Sequence, residues 1–162
     1  MKFNTIRDLK KGLSSFKVEL VEDVSTNEKI VLKHFKTKNK YFKEIELYEL
    51  MKDSKYVPLI KFRDDENNIL GLEYCGESLN IKYKPKDRYP YKDAIRKVIS
   101  EIESEYGIYH NDLRWKNNCL SGDNIMLVDW ERWDYENKER DPEFILTDRH
   151  SVDKHGGIER WM

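Results

Sequence analysis

The sequence predicts a single α+β domain in two lobes: a small β-rich lobe over residues 1–75 carrying one helix, a linker over 76–90, and a mainly helical lobe over 91–162. Three observations predict it. Phe16–Leu20 alternates apolar and polar residues and Ile30–Phe35 is a second β-rich run, so strands come first. Tyr91–Tyr106 is amphipathic at helical spacing and stops at Gly107. Between them, 76–90 is polar and contains Pro85 and Pro90.

The elements follow in order. Ser25-Thr26-Asn27 is turn chemistry, so the first two strands form a hairpin. Tyr41–Lys52 is a run of good helix formers that ends before Asp53-Ser54 and Pro58. Val57–Phe62 and Ile69–Tyr74 are strand-like, joined by the polar turn Asp64-Asp65-Glu66-Asn67-Asn68. In the amphipathic helix, Ala94, Ile95, Val98, Ile99 and Ile102 share one face. Ile108–Leu120 is denser in polar side chains than a plain surface loop requires. Ser121-Gly122-Asp123-Asn124 then turns into Ile125–Val128, a buried-type strand running into Asp129. The remaining residues are charged, carry Trp133 and Trp161, and have only weak helical signal. Internal repeats and low-complexity segments are absent.

Composition narrows the function classes. The chain has 162 residues, 30 Lys+Arg against 31 Asp+Glu, and a net charge of −1, so no excess of positive charge favours nucleic acid. No apolar stretch is long enough for a membrane span, and Met1–Lys11 lacks the apolar core of a secretory signal. An aromatic share of 12% supplies area for a packed core despite 38% charged residues. Cys75 and Cys119 are far apart and outside any CxxC pair, which reads as two reduced thiols in a cytoplasmic setting.

The informative segment is His110-Asn111-Asp112-Leu113-Arg114-Trp115-Lys116-Asn117-Asn118, of the form HxDLxxxN, with Asp129 at the end of the following apolar strand. Phosphoryl transfer explains these residue types. A carboxylate must orient an acceptor hydroxyl and take its proton, which suits Asp112. Mg²⁺ on phosphates wants hard oxygen ligands, which the Asn117 amide and the Asp129 carboxylate can supply. Arg114 or Lys116, on the same loop, could neutralise charge on the transferring group.

These residues resemble the eukaryotic-like protein kinase superfamily, including its small-molecule branches. The resemblance implies a strand lysine and a helix carboxylate in the first lobe. Ile30-Val31-Leu32-Lys33 is similar to the VAIK strand, so Lys33 would contact the α- and β-phosphates of ATP. Helical geometry chooses its partner. With Phe42 at zero, Leu47, Met51 and Tyr48 fall between about 140° and 240°, and Glu44 lies at about 200° among them, whereas Glu46 and Glu49 lie opposite. A carboxylate in that apolar arc needs a buried partner, and Lys33 is the natural one. Leu70–Gly76 resembles the strand and hinge that hold adenine, with Leu72 as gatekeeper and the backbone of Glu73 and Cys75 facing the purine edge.

The departures from the pattern matter as well. Gly12-Leu13-Ser14-Ser15-Phe16-Lys17-Val18 stands where GxGxxGxV is expected, with Ser14 and Ser15 as the phosphate donors. Asn111 replaces the arginine of HRD, so activity should not need a phosphorylated activation loop. Asp129-Trp130-Glu131 keeps the metal ligand but lacks the flexible glycine of DFG. The residues after Asp129 are too few for a full second lobe, as in the minimal kinases of some viruses and bacterial effectors, whose setting would be a host cytosol.

Ser151-Val152-Asp153 faintly resembles a helix aspartate that braces the catalytic loop, although an ordinary surface Asp is the plainer reading. His34, His150 and His155 lack metal-ligand spacing and read as solvated or locally bonded. His110 reads as a support for the loop, Trp115 as packing, and Lys36–Lys43 as a solvated helix start. The expectation is an ATP- and Mg²⁺-dependent phosphotransferase, a minimal protein kinase acting on a protein hydroxyl. HNDL and DWE resemble the choline, ethanolamine and aminoglycoside kinases more than ordinary Ser/Thr kinases, which keeps a small-molecule acceptor open. The single glycine of the loop keeps open a pseudokinase that binds without transferring.

Overall fold

The computed structural model describes residues 1–9 and 14–138. Gly12 and Leu13 of the glycine-poor loop, His150, His155, Ser151–Asp153 and Trp161 lie outside the described residues. The chain is mixed α+β, with a mainly antiparallel sheet and few helices, and it divides after Tyr74 into two compact units.

The first unit is built on strands β1 (Phe3–Leu9), β2 (Ser15–Asp23) and β3 (Lys29–Phe35), helix α1 (Lys38–Leu50), and strands β4 (Ile60–Asp64) and β5 (Ile69–Glu73). They form one five-stranded antiparallel sheet in the order β1-β2-β3-β5-β4. The hairpin expected between β2 and β3 is present, and Asn27 sits in its turn with φ 60°, a conformation Asn tolerates. Strand β1 was not expected: its middle residues are all exposed, so burial leaves no alternating pattern to read. α1 begins three residues earlier than its helix formers suggest, because the Thr37 hydroxyl caps it by accepting from the Lys40 N–H at 3.3 Å.

The sheet's two faces differ. Val21, Ile30 and Leu32 form a buried cluster on one face, covered by Phe3, Phe62 and Ile69. Phe3 and Phe62 belong to the two edge strands, yet their rings meet edge-on at 5.3 Å, so the sheet curls until its edges share a core. Gly71 permits that curl: a Cβ there would lie 2.7 Å from the Phe62 Cβ and 3.2 Å from Ile30. Gly71→Ala is therefore expected to destabilise the first unit by about 1–3 kcal/mol, read by chemical denaturation. Val31, Lys33 and Phe35 point to the other face, where Phe35 meets Tyr41 of α1 at 5.7 Å.

The second unit carries α2 (Leu79–Lys82), α3 (Pro85–Arg88), a 3₁₀ turn at Tyr89–Tyr91, α4 (Lys92–Tyr106), a 3₁₀ turn at Trp115–Asn117, and the hairpin β6 (Asn118–Ser121) and β7 (Asn124–Leu127). The stretch 76–90 is thus not a plain linker. Leu79 is wholly buried, and Pro85 opens α3, where a missing N–H costs nothing. α4 matches its expected span closely: Ile95, Val98, Ile99 and Ile102 are buried, and Gly107 closes it at φ 66°. Cys75 and Cys119 are free and buried beside Met126, and burial pushes the Cys119 thiol up to about 12. Among the described residues no helix is long and apolar enough to cross a membrane.

Candidate active-site residues

In the first unit the strand lysine and the helix carboxylate are brought together. Lys33 Nζ donates to Glu44 Oε1 at 2.7 Å, with the two side chains 8% and 1% exposed. The arc expected for α1 is the buried one, comprising Tyr41, Glu44, Ile45, Leu47 and Tyr48, while Phe42, Glu46 and Glu49 face outward. A second latch holds the helix. The Tyr41 hydroxyl donates to Asp65 Oδ1 at 2.6 Å, and Arg63 forks onto the same carboxylate at 3.1 Å. Burial first, then the Asp65 charge, pushes the Tyr41 phenol up to about 12, so it stays a donor.

The candidate nucleotide residues of this unit are largely enclosed. Ser14 and Ser15 are both buried; the Ser14 carbonyl accepts from the Lys36 N–H, and Ser15 opens β2 opposite Phe35. Leu72 is buried in β5. The Glu73 N–H donates to the Leu59 carbonyl at 2.9 Å, and its carboxylate accepts from the Leu59 N–H at 3.1 Å, so this N–H is already engaged within the sheet. Cys75 belongs to the second unit, packed with Cys119, Met126 and Val128. His34 is locally bonded, its Nε2 lying 2.8 Å from Glu19 Oε2.

In the second unit, Asp112 is the centre of a buried network. Arg114 Nε donates to Asp112 Oδ1 at 2.7 Å and its Nη2 to Oδ2 at 2.8 Å, a two-pronged ion pair with side chains 8% and 6% exposed. Asn117 Nδ2 donates to the Asp112 carbonyl at 2.7 Å and to Oδ2 at 3.0 Å. Burial alone would raise the Asp112 carboxyl; the Arg114 bonds and charge override it, helped by His110 and Lys116, and hold it below the usual range. Arg114 is therefore committed to Asp112, whereas Lys116 is only half-buried. The sequence offered both cations as equivalent, because neither type nor spacing says which one folds back onto the carboxylate two residues away.

Two further contacts place Asp129. The Val128 N–H donates to the Asn117 carbonyl at 2.9 Å, so Asp129 follows directly on the residue that contacts Asn117, and it turns the chain at φ 60°. Trp130 is wholly buried, its indole N–H donates to the Leu127 carbonyl at 2.9 Å, and its ring meets His110 at 4.5 Å. His110 in turn bonds the Val128 carbonyl through Nε2 at 2.8 Å and accepts the Asp112 N–H at Nδ1. It thus ties the loop to the residues before Asp129, the supporting part expected of it. Trp115 is buried under the Arg88 guanidinium at 5.6 Å, which is packing.

Burial holds the His110 imidazole below its ordinary 6.5. The native chain therefore resists a proton that the unfolded chain takes up. The stability this supplies is complete above pH 6.5 and is lost as pH falls toward the folded value. Unfolding free energy should drop by up to about 1.4 kcal/mol per pH unit just below that point, and His110→Gln should flatten the slope in urea titrations.

No protein-family model matches the chain. Among curated proteins, it is similar to the "Putative serine/threonine-protein kinase 040L" of Invertebrate iridescent virus 3, with 29% identity over 43% of this chain. The chain spans 28% of that relative's length. The likeness is distant and partial, and it points to a kinase-like relationship.

Proposed function

We propose that the chain is an ATP- and Mg²⁺-dependent phosphotransferase, a minimal protein kinase that phosphorylates a Ser, Thr or Tyr hydroxyl of a protein. The observation that carries this reading is the buried Asp112, braced by Arg114 and Asn117 with Asp129 one residue beyond the Asn117 contact. The buried Lys33–Glu44 pair and the kinase name of the viral relative support it.

The donor set fits the metal. The Asn117 NH₂ is directed at Asp112; its amide oxygen and the Asp129 carboxylate are the hard donors that would hold Mg²⁺ on bound phosphates. When bound there, Mg²⁺ would neutralise phosphate charge. Asp112 orients the acceptor hydroxyl and takes its proton on a carboxylate oxygen; Arg114 keeps that carboxylate ionised until then. Lys116 adds positive charge on the same loop. Lys33, held extended by Glu44, binds the α- and β-phosphates.

In this reading residues 1–75 make the nucleotide lobe, with Ser14, Ser15, Leu72 and Glu73 as its ATP contacts, while Cys75, just after the break at Tyr74, packs within the second unit. Residues 76–90 are the hinge, and 91–162 are the lobe of the catalytic loop. Two free, buried cysteines suit a reducing cytoplasm. A small-molecule acceptor is the second reading, supported by His110-Asn111-Asp112-Leu113 and Asp129-Trp130-Glu131.

The test is transfer from γ-labelled ATP to protein extract and to amino-alcohol and aminoglycoside acceptors, with a thermal shift in ATP and Mg²⁺ alongside. Label on protein, lost in Asp112→Asn, is the expected result; label on a metabolite alone selects the second reading. A shift without transfer leaves a nucleotide-binding module, and the absence of both shift and transfer refutes the proposal.

A further inference from the structure

Asn111 does something its place in the motif does not suggest. It adopts φ 63°, a left-handed conformation that Asn tolerates better than most residues. Its carboxamide is directed entirely at the chain beyond Asp129. Nδ2 donates to the Arg132 carbonyl at 3.2 Å and to the Glu136 carbonyl at 3.1 Å, while Oδ1 accepts from the Lys138 N–H at 2.8 Å.

Arg132 and residues 135–138 are exposed, and Trp133 is the buried anchor. Tyr109 and Asp134 exchange two backbone bonds, of 2.8 and 3.1 Å. Other contacts along this segment are local: the Trp133 N–H to the Trp130 carbonyl at 3.2 Å, the Trp133–Tyr135 ring contact at 5.4 Å, the Glu136 N–H to Asp134 Oδ1, and an exposed Lys138–Asp134 ion pair worth little in water. With little apolar surface covered beyond Trp133, hydrogen bonds contribute much of the order of residues 132–138, and three of them end on the Asn111 side chain.

We propose that Asn111 is a positioning residue: its carboxamide clips residues 132–138, folded, to the loop that carries Asp112, so the segment is ready for an acceptor without any covalent mark on it. The acceptor part rests on the phosphotransferase reading; the clip itself does not. Asn111 directly precedes Asp112 in the chain, so the clip sets the segment and the carboxylate in a common frame.

The experiment compares wild type with Asn111→Gly, which keeps the positive φ and removes only the three bonds. Amide hydrogen exchange should rise about tenfold or more across residues 132–138, most at Lys138, with β6 and β7 unchanged. Asn111→Asp, which keeps the acceptor for the Lys138 N–H but lacks donors, should protect Lys138 better than Gly does. Unchanged exchange over 132–138, or an equal rise in β6 and β7, would overturn the clip.

With γ-labelled ATP and a mixed Ser/Thr/Tyr peptide pool, Asn111→Gly should raise the peptide KM several-fold and leave the ATP KM alone. A fall in kcat with both KM values unchanged overturns the acceptor role. Absence of transfer by wild type overturns the phosphotransferase reading instead, and the exchange pattern still decides the clip.

Discussion

Asp112→Asn should lower phosphoryl transfer by about 10²–10⁴-fold, the usual worth of a positioned general base. The same substitution should also weaken the second unit, for a reason separate from catalysis. It leaves the buried Arg114 guanidinium without the carboxylate that meets it at 2.7 and 2.8 Å. Breaking one side of a buried ion pair typically costs about 3–5 kcal/mol. A dead Asp112 variant by itself is therefore ambiguous between lost chemistry and lost fold.

The double variant Asp112→Asn/Arg114→Leu separates them. With both charges gone the desolvation cost goes too, so much of the melting temperature should return while transfer stays absent. Recovery of transfer along with stability would mean that Asp112 is only a structural anchor. Arg114→Leu alone supplies an independent reading. Without Arg114, burial, which raises the Asp112 carboxyl, is no longer overridden. The acid limb of the kcat/KM profile should then move to higher pH, since the base must be ionised to act.

Much of this was legible in the residues, for identifiable reasons. α4 and the β2–β3 hairpin were readable because one apolar face at the right period is also the buried face. The resemblance called for a helix carboxylate, and angle chose Glu44 over Glu46 and Glu49, since a carboxylate between Leu47 and Tyr48 has no place to go but inward. What stayed hidden depends on tertiary closure. β1 owes its place to pairing with β2 and to the Phe3–Phe62 contact across a curled sheet, and neither leaves a local pattern. The commitment of Arg114 to Asp112 and the reach of Asn111 to Lys138 depend on loop conformation, including two left-handed residues, Asn111 and Asp129, that are not glycine. The helical turns in 76–90 were masked by proline and charge, although Leu79 within them is fully buried.

Glu44→Ala should be among the most destabilising single substitutions in the first unit, at about 3–5 kcal/mol. Lys33, which would lose its carboxylate partner, is a buried residue, 6% exposed, in the middle of β3 with β2 and β5 paired on either side. Water cannot easily reach it there, and the 2.7 Å bond to Oε1 is lost. Glu44→Gln tests how much of the effect is charge: it keeps the shape and an acceptor oxygen, so it should fall between wild type and Ala. Lys33→Met/Glu44→Leu removes both charges and should unfold at a denaturant concentration near that of wild type. A pair kept for stability alone would be dispensable in that double variant. A pair kept for nucleotide binding would not be: the double variant should be as stable as wild type and yet show no thermal shift with ATP and Mg²⁺. An undiminished shift in that protein would remove Lys33 from the phosphate site, whatever the fate of Asp112.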